Sequence, residues 1–153
     1  MTAFRLNGRD VTAAADPLAR LLDVLREELG DTSVKEGCGE GECGACAVLM
    51  DGRMVNACLV PLARAAGAEG ETMAGLRATT RGRRLVEAFA REGAVQCGFC
   101  TPGMVIAAEE LLRRCPHPEE DAVRVGISGN LCRCTGYELI VRAILAASRE
   151  GDR

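Results

Sequence analysis

The sequence predicts an α+β chain in two parts, and three observations carry the prediction. Two dipeptides suited to tight hairpin turns, Asn7-Gly8 and Asp51-Gly52, each stand between short strand-like segments. A leucine stripe with helical spacing lies between those hairpins. Beyond about residue 82 the apolar period becomes helical and stays so to the end of the chain. The first part is assigned to residues 1–76 and the second to 77–153.

Phe4-Arg5-Leu6 and Arg9-Asp10-Val11 form the arms of the first hairpin. A helix should follow, with Asp16 as N-cap, Pro17 in the first turn and Gly30 just past the end. Its apolar face would hold Leu18, Leu21, Leu22, Leu25 and Leu29. The second hairpin joins 47–50 to 53–56, and a short strand near Glu71–Met73 completes the sheet. Residues 74–82 lack apolar periodicity and are expected to be a linker. Arg77, Arg81, Arg83 and Arg84 around it read as a solvated basic face.

Four helices are expected after the linker. Leu85, Val86 and Phe89 mark one that ends near Gly93. Thr101-Pro102 opens the second, with Thr101 as cap. The third runs from Pro118-Glu119-Glu120 to between Gly126 and Ser128, and the fourth from Gly136 to about Ser148 with Thr135 as cap. Four helices in so short a stretch predict a compact bundle.

The composition narrows the function classes. Hydrophobic residues make up 48% of the chain but aromatics only 3%, so the core must be aliphatic. A net charge of −3 gives no electrostatic reason to expect a nucleic-acid or membrane partner. No stretch approaches the ~20 apolar residues of a membrane span. Residues 1–10 have no long apolar core, which predicts a cytoplasmic, reduced setting. There, the nine cysteines are read as metal ligands rather than disulfides.

Eight of those cysteines form two sets. Cys38, Cys43 and Cys46 follow C-x4-C-x2-C inside a glycine-rich loop, and Cys58 comes after the second hairpin. This is plant-type [2Fe-2S] spacing. A loop wrapping a small cluster must bend sharply, and its bare backbone brings amide N–H groups to the sulfurs. Cys97 and Cys100 (C-x2-C), with Cys132 and Cys134 (C-x-C), make the second set. Spacing alone leaves that set open between an iron–sulfur cluster and structural zinc. Each pair precedes a helix, so parallel packing would gather the sulfurs where helix N-termini favour negative charge.

Three motifs carry a resemblance. Gly37 to Cys46, Gln96 to Met104, and Gly129 to Tyr137 closely resemble the signatures of the small iron–sulfur subunit of the molybdenum hydroxylases, the group of xanthine dehydrogenase, aldehyde oxidoreductase and aerobic carbon monoxide dehydrogenase. The resemblance covers nearly the whole chain. It implies a β-grasp, plant-type ferredoxin-like domain and then a four-helix bundle, each with one [2Fe-2S] cluster. It also implies a large partner bearing a molybdopterin cofactor and a medium partner bearing FAD, with this subunit relaying electrons between them. The bundle cluster would lie on the molybdenum side. Gln96 matches a position that hydrogen-bonds the pterin, and Cys134 matches the ligand nearest to it. Ala47 and Ser33-Val34 depart from the commoner residues without touching a ligand.

Two other readings stand beside this one: a free-standing two-cluster ferredoxin and a zinc-stabilised interaction module. Cys115 reads as an inert thiol and His117 as a loop residue. Arg133 would offset cluster charge or contact a partner, and Tyr137 would pack against the cysteine loop. No base is paired with a nucleophile, which fits a chain whose substrate chemistry belongs to a partner.

Overall fold

The computed structural model describes residues 1–150. Its fold is α+β: a five-stranded mixed sheet in the first half and helices in the second. Strands β1 (Thr2–Leu6) and β2 (Arg9–Ala13) pair antiparallel, as do β3 (Ala47–Met50) and β4 (Arg53–Asn56). The turn residues Asn7, Gly8, Asp51 and Gly52 all have positive φ (52°, 78°, 50° and 77°), the geometry that matches strand twist and that Asn-Gly and Asp-Gly accept most readily. The closing strand β5 (Glu69–Glu71) lies two residues earlier than expected. It runs parallel to β1 and antiparallel to β3, giving the order β2-β1-β5-β3-β4.

All four residues of β3 are buried. Alternation along a strand explains how one strand serves two cores. Val48 and Met50 join Phe4, Leu6, Leu21, Leu22 and Leu25, whereas Ala47 and Leu49 join the core of the helical half.

The first helix departs from its sequence pattern. Regular α-helix covers only Leu21–Asp23 (α1) and continues as a wider π-type turn over Val24–Glu28. Asp16 caps no helix; its side chain accepts the Leu18 amide at 2.7 Å in a local turn. Leu18, assigned to the apolar face, is 82% exposed. The cause is tertiary. The backbone from Pro17 to Leu21 is hydrogen-bonded to Val60–Ala63, through Leu21 N to Val60 O, Leu62 N to Ala19 O and Ala63 N to Pro17 O. Gly30, at φ 70°, does end the helical stretch.

The expected linker is largely structured. Met73–Leu76 form a short helix, α2, and α3 (Thr80–Arg91) begins inside the 74–82 stretch. Thr79 caps α3 by accepting the Gly82 amide at 3.0 Å. Arg81 is exposed, as a solvated basic face requires, but its Nε also grips the buried Glu109. The remaining helices are α4 (Thr101–Arg114), α5 (Glu120–Gly126) and α6 (Glu138–Arg149). Two expected caps shift. Cys100, not Thr101, precedes α4, and Tyr137, not Thr135, precedes α6. Helix α3 packs against α4 and α6, and α5 packs against the same two. The enclosed core includes Leu85, Phe89, Met104, Ile106, Ile140 and Ile144, each at most 1% exposed. Among the described residues no helix is long and apolar enough to cross a membrane.

Candidate metal centres

The loop from Gly37 to Cys46 follows the first helical stretch and ends at β3; Cys58 sits in a tight turn, Ala57–Leu59, immediately after β4. The hairpin therefore returns Cys58 to the loop, and Ala57 N bonds Cys46 O at 3.2 Å. The cysteines fall into an outer pair and an inner pair. Cys38 is exposed and Cys43 half-buried, whereas Cys46 and Cys58 are buried. The Cys46 and Cys58 thiols are hydrogen-bond partners, as are those of Cys38 and Cys43, and Cys46 also feels the charge of Cys43.

The outer sulfurs are ringed by amides. Glu40 N and Glu42 N donate to Cys38 Sγ at 3.4 and 3.3 Å, and Cys38 N donates to Cys43 Sγ at 3.4 Å. The amides of Glu40 and Cys43 pull the Cys38 thiol down to about 7, since they favour the thiolate. Burial does the opposite to Cys46, pushing it up to about 12. A side chain at Gly37 would place its Cβ 2.7 Å from Cys43 Sγ, so the glycine is required by the space the sulfur occupies.

The second set gathers at the N-terminal ends of α4 and α6. Cys97 and Cys134 are both exposed, and their sulfurs lie 3.6 Å apart. Cys100 and Cys132, both half-buried, are hydrogen-bond partners. Burial pushes Cys100 up to about 12. For Cys132 burial acts the same way, but the hydroxyl and amide of Thr135, which donate to its sulfur at 3.1 and 3.5 Å, outweigh it and lower the thiol. Contact with Cys97 raises Cys134. Tyr137 takes φ 71°, and its hydroxyl accepts the Cys132 amide at 3.0 Å, which pins the turn between Cys132 and α6. Thus Thr135 and Tyr137 join the sulfur loop to the start of α6, where the Thr135 hydroxyl also accepts the Tyr137 amide at 3.2 Å.

Among the described residues no three His, Cys, Asp or Glu side chains stand close enough together to hold a single metal ion. Both sets are instead arranged two and two. A [2Fe-2S] centre has two irons and four thiolates, hence two thiolates per iron. The paired sulfurs, the amide donors and the Gly37 cradle fit that group.

Other sequence-singled residues stand apart. Gln96 is exposed, and its Nε2 donates to the Cys134 carbonyl at 3.1 Å. Cys115 is half-buried and packs against the helical core, away from both sets. His117 lies with Arg81 and Arg84 along a surface cavity of about 270 Å³ that includes no cysteine. Arg133 is exposed between two cysteines. Val95, Phe99 and Leu131, neighbours of the second set in the chain, are 41%, 49% and 55% exposed.

Asn130 and Gly103 lie inside the signature motifs, but sequence reasoning gave neither a role. Both touch the first cysteine loop, through Gly44. A glycine in the first turn of an otherwise well-formed helix is a weak signal of close approach; Asn130 carries no local signal.

Two family models match this chain. Residues 4–77 match the family described as 2Fe-2S iron-sulfur cluster binding domain, and residues 72–145 match the [2Fe-2S] binding domain. The chain is 46% identical to the nicotinate dehydrogenase small FeS subunit of Eubacterium barkeri, over 92% of this chain and 90% of that protein. It is 40% identical to the aldehyde oxidoreductase of Megalodesulfovibrio gigas, over 94% of this chain but 16% of that one. The solved quinoline 2-oxidoreductase from Pseudomonas putida 86 contains a chain with TM-score 0.93 and 41% identity, covering 99% of this chain and 95% of its own.

Proposed function

This chain belongs to the small iron–sulfur subunits of the molybdenum hydroxylases, and on that premise we propose how its residues carry electrons between partners. The first unit, 1–76, is a β-grasp ferredoxin-like domain, and the second, 77–153, is a four-helix bundle. Cys38, Cys43, Cys46 and Cys58 hold one [2Fe-2S] cluster, and Cys97, Cys100, Cys132 and Cys134 hold the other. When bound, each cluster supplies a one-electron redox couple. The observation that carries this reading is the gathering of four interacting thiols in each set, with amide and hydroxyl donors on Cys38, Cys43 and Cys132.

The residues have distinct tasks. Buried Cys46 and Cys58 would anchor iron away from water, and half-buried Cys100 and Cys132 would hold it partly shielded. Loop amides at Cys38 and Cys43 stabilise negative charge and set the potential of that site. Exposed Cys97 and Cys134, beside exposed Gln96, Val95, Phe99 and Leu131, face a large molybdopterin-bearing partner. Gln96, fixed to the Cys134 carbonyl, presents an amide that both donates and accepts, which suits a pterin edge. Exposed Cys38 faces the acceptor side, where an FAD-bearing subunit docks. The complex works in the cytoplasm.

Anaerobic isolation with native partners tests the reading. Four irons and four acid-labile sulfides per chain, two distinct EPR signals on reduction and co-purification with a molybdenum protein are expected. A colourless chain with zinc would overturn it in favour of an interaction module, and an iron-loaded chain always isolated alone would favour a free ferredoxin.

A further inference from the structure

The two cysteine loops are tied to each other by hydrogen bonds that belong to neither set's own scaffold. Leu131 N donates to the carbonyl of Cys43 at 2.9 Å. Leu131 is covalently followed by Cys132, so one hydrogen bond and one peptide separate a cysteine of the first set from a cysteine of the second. Beside this link, Asn130 Nδ2 donates to the carbonyl of Gly44 at 3.0 Å.

Asn130 is 2% exposed, and its Oδ1 is buried without a partner. Leaving a buried amide oxygen unsatisfied is costly, because the group has given up its hydrogen bonds to water. A side chain kept there at that cost is not a generic filler. The surrounding backbone is shaped to admit it. A Cβ on Gly44 would lie 2.5 Å from Asn130 Nδ2, and one on Gly103 would lie 2.2 Å from the Gly44 carbonyl oxygen. Three backbone segments thus close on Asn130: the first cysteine loop, the start of α4 and the turn before Cys132.

We propose that Asn130 is a positioning residue that clamps the Gly44 carbonyl so that the Leu131 and Cys43 peptides stay hydrogen-bonded, and that these peptides are the electronic link between the two sulfur sets. The inference rests on the electron-relay reading and adds its route. The step it serves is transfer of one electron: the site at Cys132 loses it and the site at Cys43 gains it, with no bond made or broken and no proton moved. Leu131 acts through its backbone, which leaves its side chain free to be exposed. Asn130 acts through Gly44, by holding the two loops in register.

Hydrogen exchange and transfer kinetics test this on the iron-loaded complex. In the unmutated protein the Leu131 amide should exchange as slowly as the amides of β3. In Asn130→Ala it should exchange roughly tenfold faster, as loss of one hydrogen bond implies, while β3 is unchanged. Asn130→Asp, of the same size but without the donor, should do likewise. After one-electron photoreduction, transfer between the sites should slow by about tenfold or more in both variants, with both EPR signals kept and their mutual magnetic broadening reduced. Val125→Ala, at a 73% exposed position, should match the parent. Variants with both signals, parent exchange and parent kinetics would overturn the proposal. If neither variant loads iron, exchange in the unmutated protein decides: a Leu131 amide as labile as exposed loop amides refutes the clamp, and a protected one upholds it. Absence of iron from the unmutated chain would remove the electronic role and the functional reading together, whereas parent kinetics in an iron-loaded variant would remove only the clamp.

Discussion

Arg113 holds Glu71 through two hydrogen bonds of 2.8 Å each, and with its Nε it holds Glu109 at 2.7 Å. Glu71 is in β5, whereas Arg113 and Glu109 are in α4, so the guanidinium ties the sheet to the helices. Glu109 is 1% exposed and is held from the other side by Arg81 of α3. The flanking charges hold Arg113 above its ordinary range, mainly through Glu71.

Arg113→Met should therefore destabilise the protein by about 3 kcal/mol, the low end for breaking a buried pair, because Arg81 still contacts Glu109. At this chain length that is a fall in Tm of roughly 6–12 °C. The double variant Arg113→Met with Glu109→Leu should recover part of the loss, since it removes the buried Glu109 charge while Glu71 and the half-exposed Arg81 still lose these partners. Thermal unfolding of the iron-loaded protein measures both. A single variant as stable as the parent would mean that the network contributes nothing.

The sulfur sets should fail independently. Cys43→Ser removes one thiolate but keeps the Cys43 carbonyl that accepts from Leu131. The EPR signal of the first site should disappear, about half the iron should be lost, and the second signal should persist. Cys115→Ser, at a thiol that belongs to neither set, should leave iron content unchanged. Loss of both signals in Cys43→Ser would show that the sites do not assemble separately.

How much of this was legible in the sequence follows from where each constraint acts. The hairpin turns were readable because the need for positive φ at Asn7-Gly8 and Asp51-Gly52 is met by the residues themselves. The cysteine groupings were readable because cysteine spacing is local, and the second set's gathering at the starts of α4 and α6 followed from each of its pairs preceding a helix. Leu18 was misplaced because the segment around it pairs with 60–63, a partner that no periodicity reveals. Thr101 and Thr135 looked like caps by type, yet Thr135 donates to Cys132 Sγ and Thr101 Oγ1 is buried without a partner. Asn130 and Gly103 stood inside the quoted motifs, but their roles were unreadable because they exist only where the two cysteine loops meet.

The iron-free chain should show graded thiol reactivity. Amide hydrogen bonds from Glu40 and Cys43 bring Cys38 to about 7, while burial takes Cys46 to about 12. At pH 7.5 iodoacetamide should modify Cys38 well before Cys46, with the Cys38 rate half-maximal near pH 7. The stability consequences have opposite signs. The depressed Cys38 favours the fold fully above the ordinary thiol range, and that contribution is lost as pH falls through about 7. Raised Cys46 and Cys100 favour it below the ordinary range, and theirs is lost as pH rises towards 12. Peptide-resolved mass spectrometry across pH reads the labelling order. Equal rates at Cys38 and Cys46 would refute the assigned environments.

Gln96 separates a scaffold role from a partner-facing one. Its Nε2 donates to the Cys134 carbonyl across 38 residues of sequence, so one reading is a tie that merely shapes the loop. If that were all, Gln96→Ala would perturb the second site itself, shifting its EPR signal or lowering its iron. The contact is exposed, however, and Tyr137 and Thr135 already pin the adjoining Cys132 turn. An exposed hydrogen bond adds little to such an anchored turn. Gln96→Ala should thus keep both signals and full iron, yet slow reduction of the second site by the molybdenum partner by about tenfold, the equivalent of losing one hydrogen bond at the contact. Gln96→Glu, which keeps an acceptor but loses the donor, should slow it as well. Stopped-flow reduction of the complex by its substrate, followed in the visible, makes the measurement. Parent kinetics in both variants would confine Gln96 to the loop.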